Sequence, residues 1–171
     1  MGLTRINNQA LPTLENNKLP SGTVLQVQQT KSSSALSSNA TTFGDFLTVS
    51  ITPTSTNSKI LVTVNLCVGT KWWNNQGRFR ITRDSTAISA NSTVGWPWQF
   101  GADDGNDGYE MINYHLQLLD SPSTTSAITY KAQMHSQSSS YYVHMNRHNQ
   151  SSTALGESYI CLLYTSDAAD E

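Results

Sequence analysis

Residues Ile60-Leu-Val-Thr-Val-Asn-Leu-Cys-Val68 decide the fold class. Ile60, Val62, Val64, Leu66 and Val68 place an apolar side chain at every second position. A period of two sends successive side chains to opposite faces of a strand, so one face of this segment is apolar and suits a central core strand. The same period recurs on both sides. Before it come Leu25 and Val27, then Leu47, Val49 and Ile51. After it come Phe79 and Ile81, then Ile112, Tyr114, Leu116 and Leu118, then Ile128, Tyr130, Ala132 and Met134, and finally Tyr141, Val143 and Met145. Polar residues fill most of the alternate positions. One apolar face per strand describes a sheet packed on one side and wet on the other.

Turn-rich clusters separate these runs: Thr52-Pro-Thr-Ser-Thr-Asn-Ser58, Asp120-Ser-Pro-Ser-Thr-Thr-Ser126 and Gln137-Ser-Ser-Ser140. The cluster around Ser123 reads as a hairpin that sets His115 opposite Lys131. No stretch keeps a helical period for three turns, and no internal repeat of fixed period is present. About eight strands without a helix predict an all-β fold, an antiparallel β-sandwich of jelly-roll-like kind. Residues 1–22, with Asn7-Asn8, Pro12, Asn16-Asn17 and Pro20-Ser-Gly, lack either period. They read as an extended N-terminal arm or linker.

Composition narrows the function. The chain has 171 residues, enough for one domain with a real core. Charged residues are only 13%, and about a third of the chain is Ser, Thr or Asn. Net charge is −2 with ten scattered basic residues, so no basic stripe tracks a phosphate backbone and no nucleic-acid partner is expected. No apolar run approaches membrane-spanning length, and no membrane insertion is expected. The first residues lack the apolar core of a signal peptide, which points to release by lysis or on a particle.

Candidate sites are few. Trp72-Trp73 and Trp96-Pro-Trp98 fall at strand ends and in the longest irregular region, Asn91 to Tyr109. Flat aromatic faces in loops stack on sugar rings, so Trp72, Trp73, Trp96, Trp98 and Tyr109 form a possible ligand-binding surface. The competing reading makes the same rings plugs at the ends of the sandwich or at a subunit interface. Asp103-Asp-Gly-Asn-Asp-Gly108 is oxygen-rich but lacks EF-hand spacing, and an acidic turn explains it. His115, His135 and His144 sit on wet strand faces and His148 in a loop, so they read as solvated imidazoles, not metal ligands. No serine lies in a Gly-x-Ser-x-Gly turn, and there is no phosphate-binding or dinucleotide-binding glycine pattern. No catalytic residue, no metal and no cofactor is expected, and the chain reads as not an enzyme.

Two resemblances add to this. Cys161-Leu-Leu-Tyr-Thr-Ser-Asp-Ala-Ala-Asp-Glu171 resembles the translation of a transposase adapter used in sequencing libraries. That implies a metagenomic fragment lacking its own last strand half, with a domain over 23–160 and an artefact over 161–171. The bland alternative is a strand, Tyr159 to Tyr164, followed by an acidic tail. Under the first reading Cys161 has no redox meaning, and Cys67 is a small hydrophobe or a surface thiol.

The second resemblance rests on Leu19-Pro-Ser-Gly-Thr-Val-Leu-Gln-Val27, Val49-Ser-Ile-Thr-Pro-Thr-Ser-Thr-Asn-Ser-Lys-Ile-Leu-Val62, Arg83-Asp-Ser-Thr-Ala-Ile88 and Leu119-Asp-Ser-Pro-Ser-Thr-Thr-Ser-Ala-Ile-Thr-Tyr-Lys131, with Asn146-Arg147 as a weaker fifth piece. In this order they resemble a domain of marine bacteriophage tail-fibre and virion structural proteins, loosely similar to C1q- and TNF-like heads. The resemblance implies a place on the virion surface, receptor binding without catalysis, and a homo-oligomer, with a trimer favoured. A host cell-surface glycan or protein is then the partner. A capsid or baseplate block without receptor role, and a carbohydrate-binding module of a secreted protein, are the rival readings. Leu3, Ile6, Leu11, Leu14 and Leu19 on the arm also ask for burial against a neighbouring copy.

Overall fold

The computed structural model describes residues 23–70, 77–89, 96–98 and 111–165. Among them are eleven strands and no helix. In chain order they are β1 (Val24–Ser32), β2 (Leu36–Ser38), β3 (Gly44–Ile51), β4 (Lys59–Thr70), β5 (Gly77–Arg83), β6 (Thr86–Ala87), β7 (Trp96–Trp98), β8 (Met111–Asp120), β9 (Ile128–Ser136), β10 (Val143–Met145) and β11 (Ser158–Thr165). The expected count of about eight was low because β2, β6 and β7 are each three residues or fewer. Runs that short show no periodicity.

The strands form two antiparallel sheets in a sandwich. The first holds β1, β11, β4, β10, β2 and β8; the second holds β3, β9, β5, β6 and β7. β4 is central, as its alternation predicts. Ile60 to Asn65 pair with β8 and also with β11, while Val68 and Gly69 pair with β8 and also with β10. So β8 occupies one edge of β4, and β11 and β10 share the other, end to end. Ile60, Val62, Val64 and Val68 are 0% exposed. They meet Ile160 and Leu162 of β11 in a core closed by Leu47, Val49, Phe79, Ile81, Ile128, Tyr130, Ala132 and Met134 of the second sheet.

Four expectations need correction. The segment around Ser123 is not a hairpin: β8 pairs β4 in the first sheet, and β9 pairs β3 and β5 in the second. The chain crosses between the sheets there, and Ser123 takes a left-handed backbone, φ 53°. Next, Val143, His144 and Met145 are all buried, so β10 is covered on both faces where alternation predicts a wet one. Nor does Val27 share the inward face of Leu25: past a register irregularity between Val24 and Gln26 it lies outward, 55% exposed. Finally, β11 runs without a break through position 160 to Thr165. Leu162 and Tyr164 lie in the core, and the Tyr164 hydroxyl meets Thr54 Oγ1 at 2.5 Å. The adapter-like string enters the strand because Leu162 and Tyr164 continue the inward face begun by Ile160. Period two is all that a strand asks of a sequence.

A polar clamp ties the sheets together. Arg83 at the end of β5 donates from Nη1 to both oxygens of Asp120 on β8, each at 2.8 Å. The Tyr130 hydroxyl of β9 donates to Asp120 Oδ2 at 2.6 Å. Burial first, then the Asp120 carboxylate, raises the Tyr130 pKa and keeps the phenol protonated. A partly buried carboxylate is tolerable here because a cation and a hydroxyl satisfy it.

Candidate functional site

Of the five residues expected to form a ligand surface, Trp72, Trp73 and Tyr109 lie outside the described residues, as does the turn Asp103 to Gly108. Trp96 and Trp98 belong to β7, so this part of the expected irregular loop is an edge strand. Its register sets Trp96 opposite Phe79, Pro97 opposite Arg78 and Trp98 opposite Gly77. Tryptophan suits a strand, and Pro97, which has no N–H, is tolerated at a sheet edge.

Beside β7, the outer face of the second sheet carries a continuous polar and aromatic network. Register brings Asp45, Gln133 and Arg80 into one row across β3, β9 and β5. Arg80 Nε donates to Gln133 Oε1 at 2.8 Å, and Gln133 Nε2 donates to Asp45 Oδ1 at 2.6 Å. Lys131 Nζ reaches Asp45 Oδ2 at 2.7 Å. The Gln133 bond first, then the Lys131 bond, holds the Asp45 carboxyl below its usual range. The Arg80 guanidinium lies 4.1 Å from the Phe43 ring centre, and His135 meets the same ring edge-on at 4.4 Å. Cations and aromatic faces held in place by neighbours are what a polar, ring-bearing ligand needs. Phe43 carried no signal in the sequence, because its partners come from β5 and β9.

The histidines divide. His115 is exposed opposite Asn65, as its strand position predicts. His135 also faces outward, though Phe43 half covers it. His144 does not: it is 3% exposed. Its Nδ1 lies 2.7 Å from Ser37 Oγ and its Nε2 lies 3.2 Å from Asn149 Oδ1. The amide oxygen only accepts, so the network assigns the proton to Nε2, and Nδ1 accepts from the Ser37 hydroxyl. Ser, His and Asn in that order resemble a nucleophile with its base and orienting group. Burial first, then the Arg147 charge, pushes the His144 pKa down to about 4. An imidazole that weak is a poor base near neutrality. What the contact does is hold β2 on β10, since Ser37 and His144 are direct cross-strand partners. Sequence reasoning missed the pair because the two residues sit 107 positions apart.

Among the described residues, no three His, Cys, Asp or Glu side chains converge on a metal-sized space. Cys67 and Cys161 are free thiols. Cys67 is buried, which raises its pKa and makes it the small hydrophobe of the two options.

Three of the four longer motif pieces fall on junctions, while Leu19 to Val27 runs from outside the described residues into β1. Val49 to Val62 carries the chain from β3 in one sheet to β4 in the other, and Leu119 to Lys131 carries it from β8 to β9. Arg83 to Ile88 holds the tight β5–β6 turn. Among the described residues, Asp84 and Ser123, within these pieces, and Asn146, in the Asn146-Arg147 pair, take left-handed backbones. Asp84 secures its turn by accepting from the Thr129 N–H at 2.9 Å. Compared with known proteins, the chain matches no family profile and no curated sequence.

Proposed function

We propose that the chain is a phage virion structural module, a tail-fibre or receptor-binding domain that acts by binding and without catalysis. The observation that carries this reading is the placement of the phage-like pieces. Apart from Leu19 to Val27, they sit where the chain changes sheet or takes a left-handed backbone, positions that set an architecture and leave other surface free to vary. The ligand surface in this reading is the β5–β7 edge with the adjoining Arg80–Phe43–His135 face. Its partner is a host cell-surface glycan or protein, met by several copies at once so that weak contacts add.

Adsorption tests it. The purified chain should bind whole marine bacterial cells or an arrayed glycan set. Trp96→Ala and Trp98→Ala should each weaken that binding by about 1–3 kcal/mol, the scale of an interface anchor. Both variants should keep the parental melting temperature. Lost stability with unchanged adsorption by the folded fraction removes this edge from the site. Absence of adsorption by the parent leaves a capsid or baseplate block as the better reading.

A further inference from the structure

The outer face of the first sheet holds a row that the sequence pattern conceals. Register aligns Val27 of β1 with Leu163 of β11, Leu163 with Leu61 of β4, and Leu61 with Leu119 of β8. Leu163, Leu61 and Leu119 point away from the core, since their chain neighbours Leu162, Ile60, Val62 and Leu118 pack into it, and Val27 stands beside Leu163 on the same face. Val27 is 55% and Leu119 62% exposed, and Leu61 and Leu163 are half-buried by their neighbours. Val24, 49% exposed, flanks the row. The next row, Gln29, Cys161, Thr63 and Gln117, has no charge. Charge enters only at the margins, with Lys59 at one corner and Lys31 paired to Glu157 at the other. The outer face of the second sheet is the opposite case, with Asp45, Lys131 and Arg80 in one network. An apolar row across the full width of a sheet, with Lys59 the one charge in the rows beside it among the described residues, has the make-up of an interface core.

We infer that copies of this chain meet through the outer face of the first sheet. Strands lie about 4.8 Å apart, so the row is about 14 Å long and nearly flat, and another sheet face is the shape that covers it. The charged second-sheet face is a poor match, which leaves the first-sheet face of another copy. A stable interface takes roughly 800 Å² per partner, more than one row of four side chains presents. The chain that precedes Thr23 is long enough and apolar enough to add to that row. Residues 1–22 join β1 beside Val24, carry Leu3, Ile6, Leu11, Leu14 and Leu19, and reach up to about 70 Å if extended. Leu61 and Leu119 pair directly outside the adapter-like string, while Val27 joins the row through Leu163, which lies within it. The inference rests on the reading of the chain as an assembling virion module.

Sedimentation velocity on the full chain and on the Val27→Lys/Leu119→Lys double variant tests it, with circular dichroism and melting as folding checks. Both side chains are more than half exposed, so the variant should fold. The parent should sediment as an oligomer at about 10 µM. The variant should be monomeric at that concentration with an unchanged melting temperature, an affinity loss of at least about 100-fold for two charges placed in an apolar contact. A monomeric parent overturns the inference; if the variant also melts lower, the chain's own arm covers the row. An oligomer that survives both lysines places the interface elsewhere and overturns it too. Cell adsorption on the same samples separates the two readings. An oligomer that does not adsorb sinks the receptor role alone, and a monomer that adsorbs sinks the interface alone.

Discussion

Asn146 shows what one residue has to do in this fold. It is fully buried with φ 59°, a conformation that costs most side chains about 1–2 kcal/mol but that asparagine tolerates. Its Nδ2 donates to the carbonyls of Ser32 and Ser34, at 2.9 and 3.0 Å, and its Oδ1 accepts from Ser158 Oγ at 2.7 Å. The Ser158 hydroxyl in turn accepts from the Cys67 N–H, so β1, β4, β10 and β11 meet around one amide. Removing that amide leaves buried polar groups unpaired, at about 1–3 kcal/mol each. Asn146→Ala and Asn146→Gly should both lower the urea midpoint, and alanine should lose roughly 1 kcal/mol more because glycine keeps the backbone at ease. Equal midpoints would show that the backbone is unstrained. His144 governs a pH effect at the same scale. Its pKa falls from an ordinary 6.5 to about 4 on folding, so the unfolded chain takes the proton more readily. The stability it contributes is full above pH 6.5 and is lost as pH drops toward 4, on the order of 1–3 kcal/mol. Asp45, with a lowered pKa, acts only at lower pH. The melting temperature should fall across that window, and His144→Gln should flatten the fall. An equal slope in the variant would assign the effect to other groups.

At the scale of elements, alternation was a sound guide in β3, β4, β5, β8 and β9, and it failed in β1, where Leu25 packs on the core but Val27 faces out. β4 is the clearest case. Val64 sits at its middle, fully buried between β8 and β11. Val64→Asp places an unpaired charge in the core, and several kcal/mol against a total of roughly 5–15 should unfold the domain. A cooperative melt within a few degrees of the parent would mean that the core face had been assigned wrongly. β11 carries the complementary lesson. A string that resembles a sequencing adapter fills a central position because Leu162 and Tyr164 keep the period of Ile160. Strand formation reads pattern and volume, not origin. Alternation failed at β10, where both faces are buried, and at β7, whose three residues carry no period. His144 was misplaced for the first reason and the Trp96–Trp98 edge for the second.

For the whole molecule, pairing decides everything that alternation leaves open. The sequence by itself determined the all-β class, the long strands, the inward face of most of them and the principal turns. All of these follow from neighbours within a few residues. It also singled out Asp120 to Ser126 as a turn, but not that this turn changes sheet. Only the tertiary structure joined Arg83, Asp120 and Tyr130 into a clamp, Ser37 to His144, and Phe43 to Arg80 and His135. It alone lined up Val27, Leu163, Leu61 and Leu119, four residues that look unremarkable one at a time. The physical reason is that a period of two says which way a side chain points and nothing about which strand lies beside it. Partner and register come from the summed packing of two sheets over one core, and a surface row exists only once they are set.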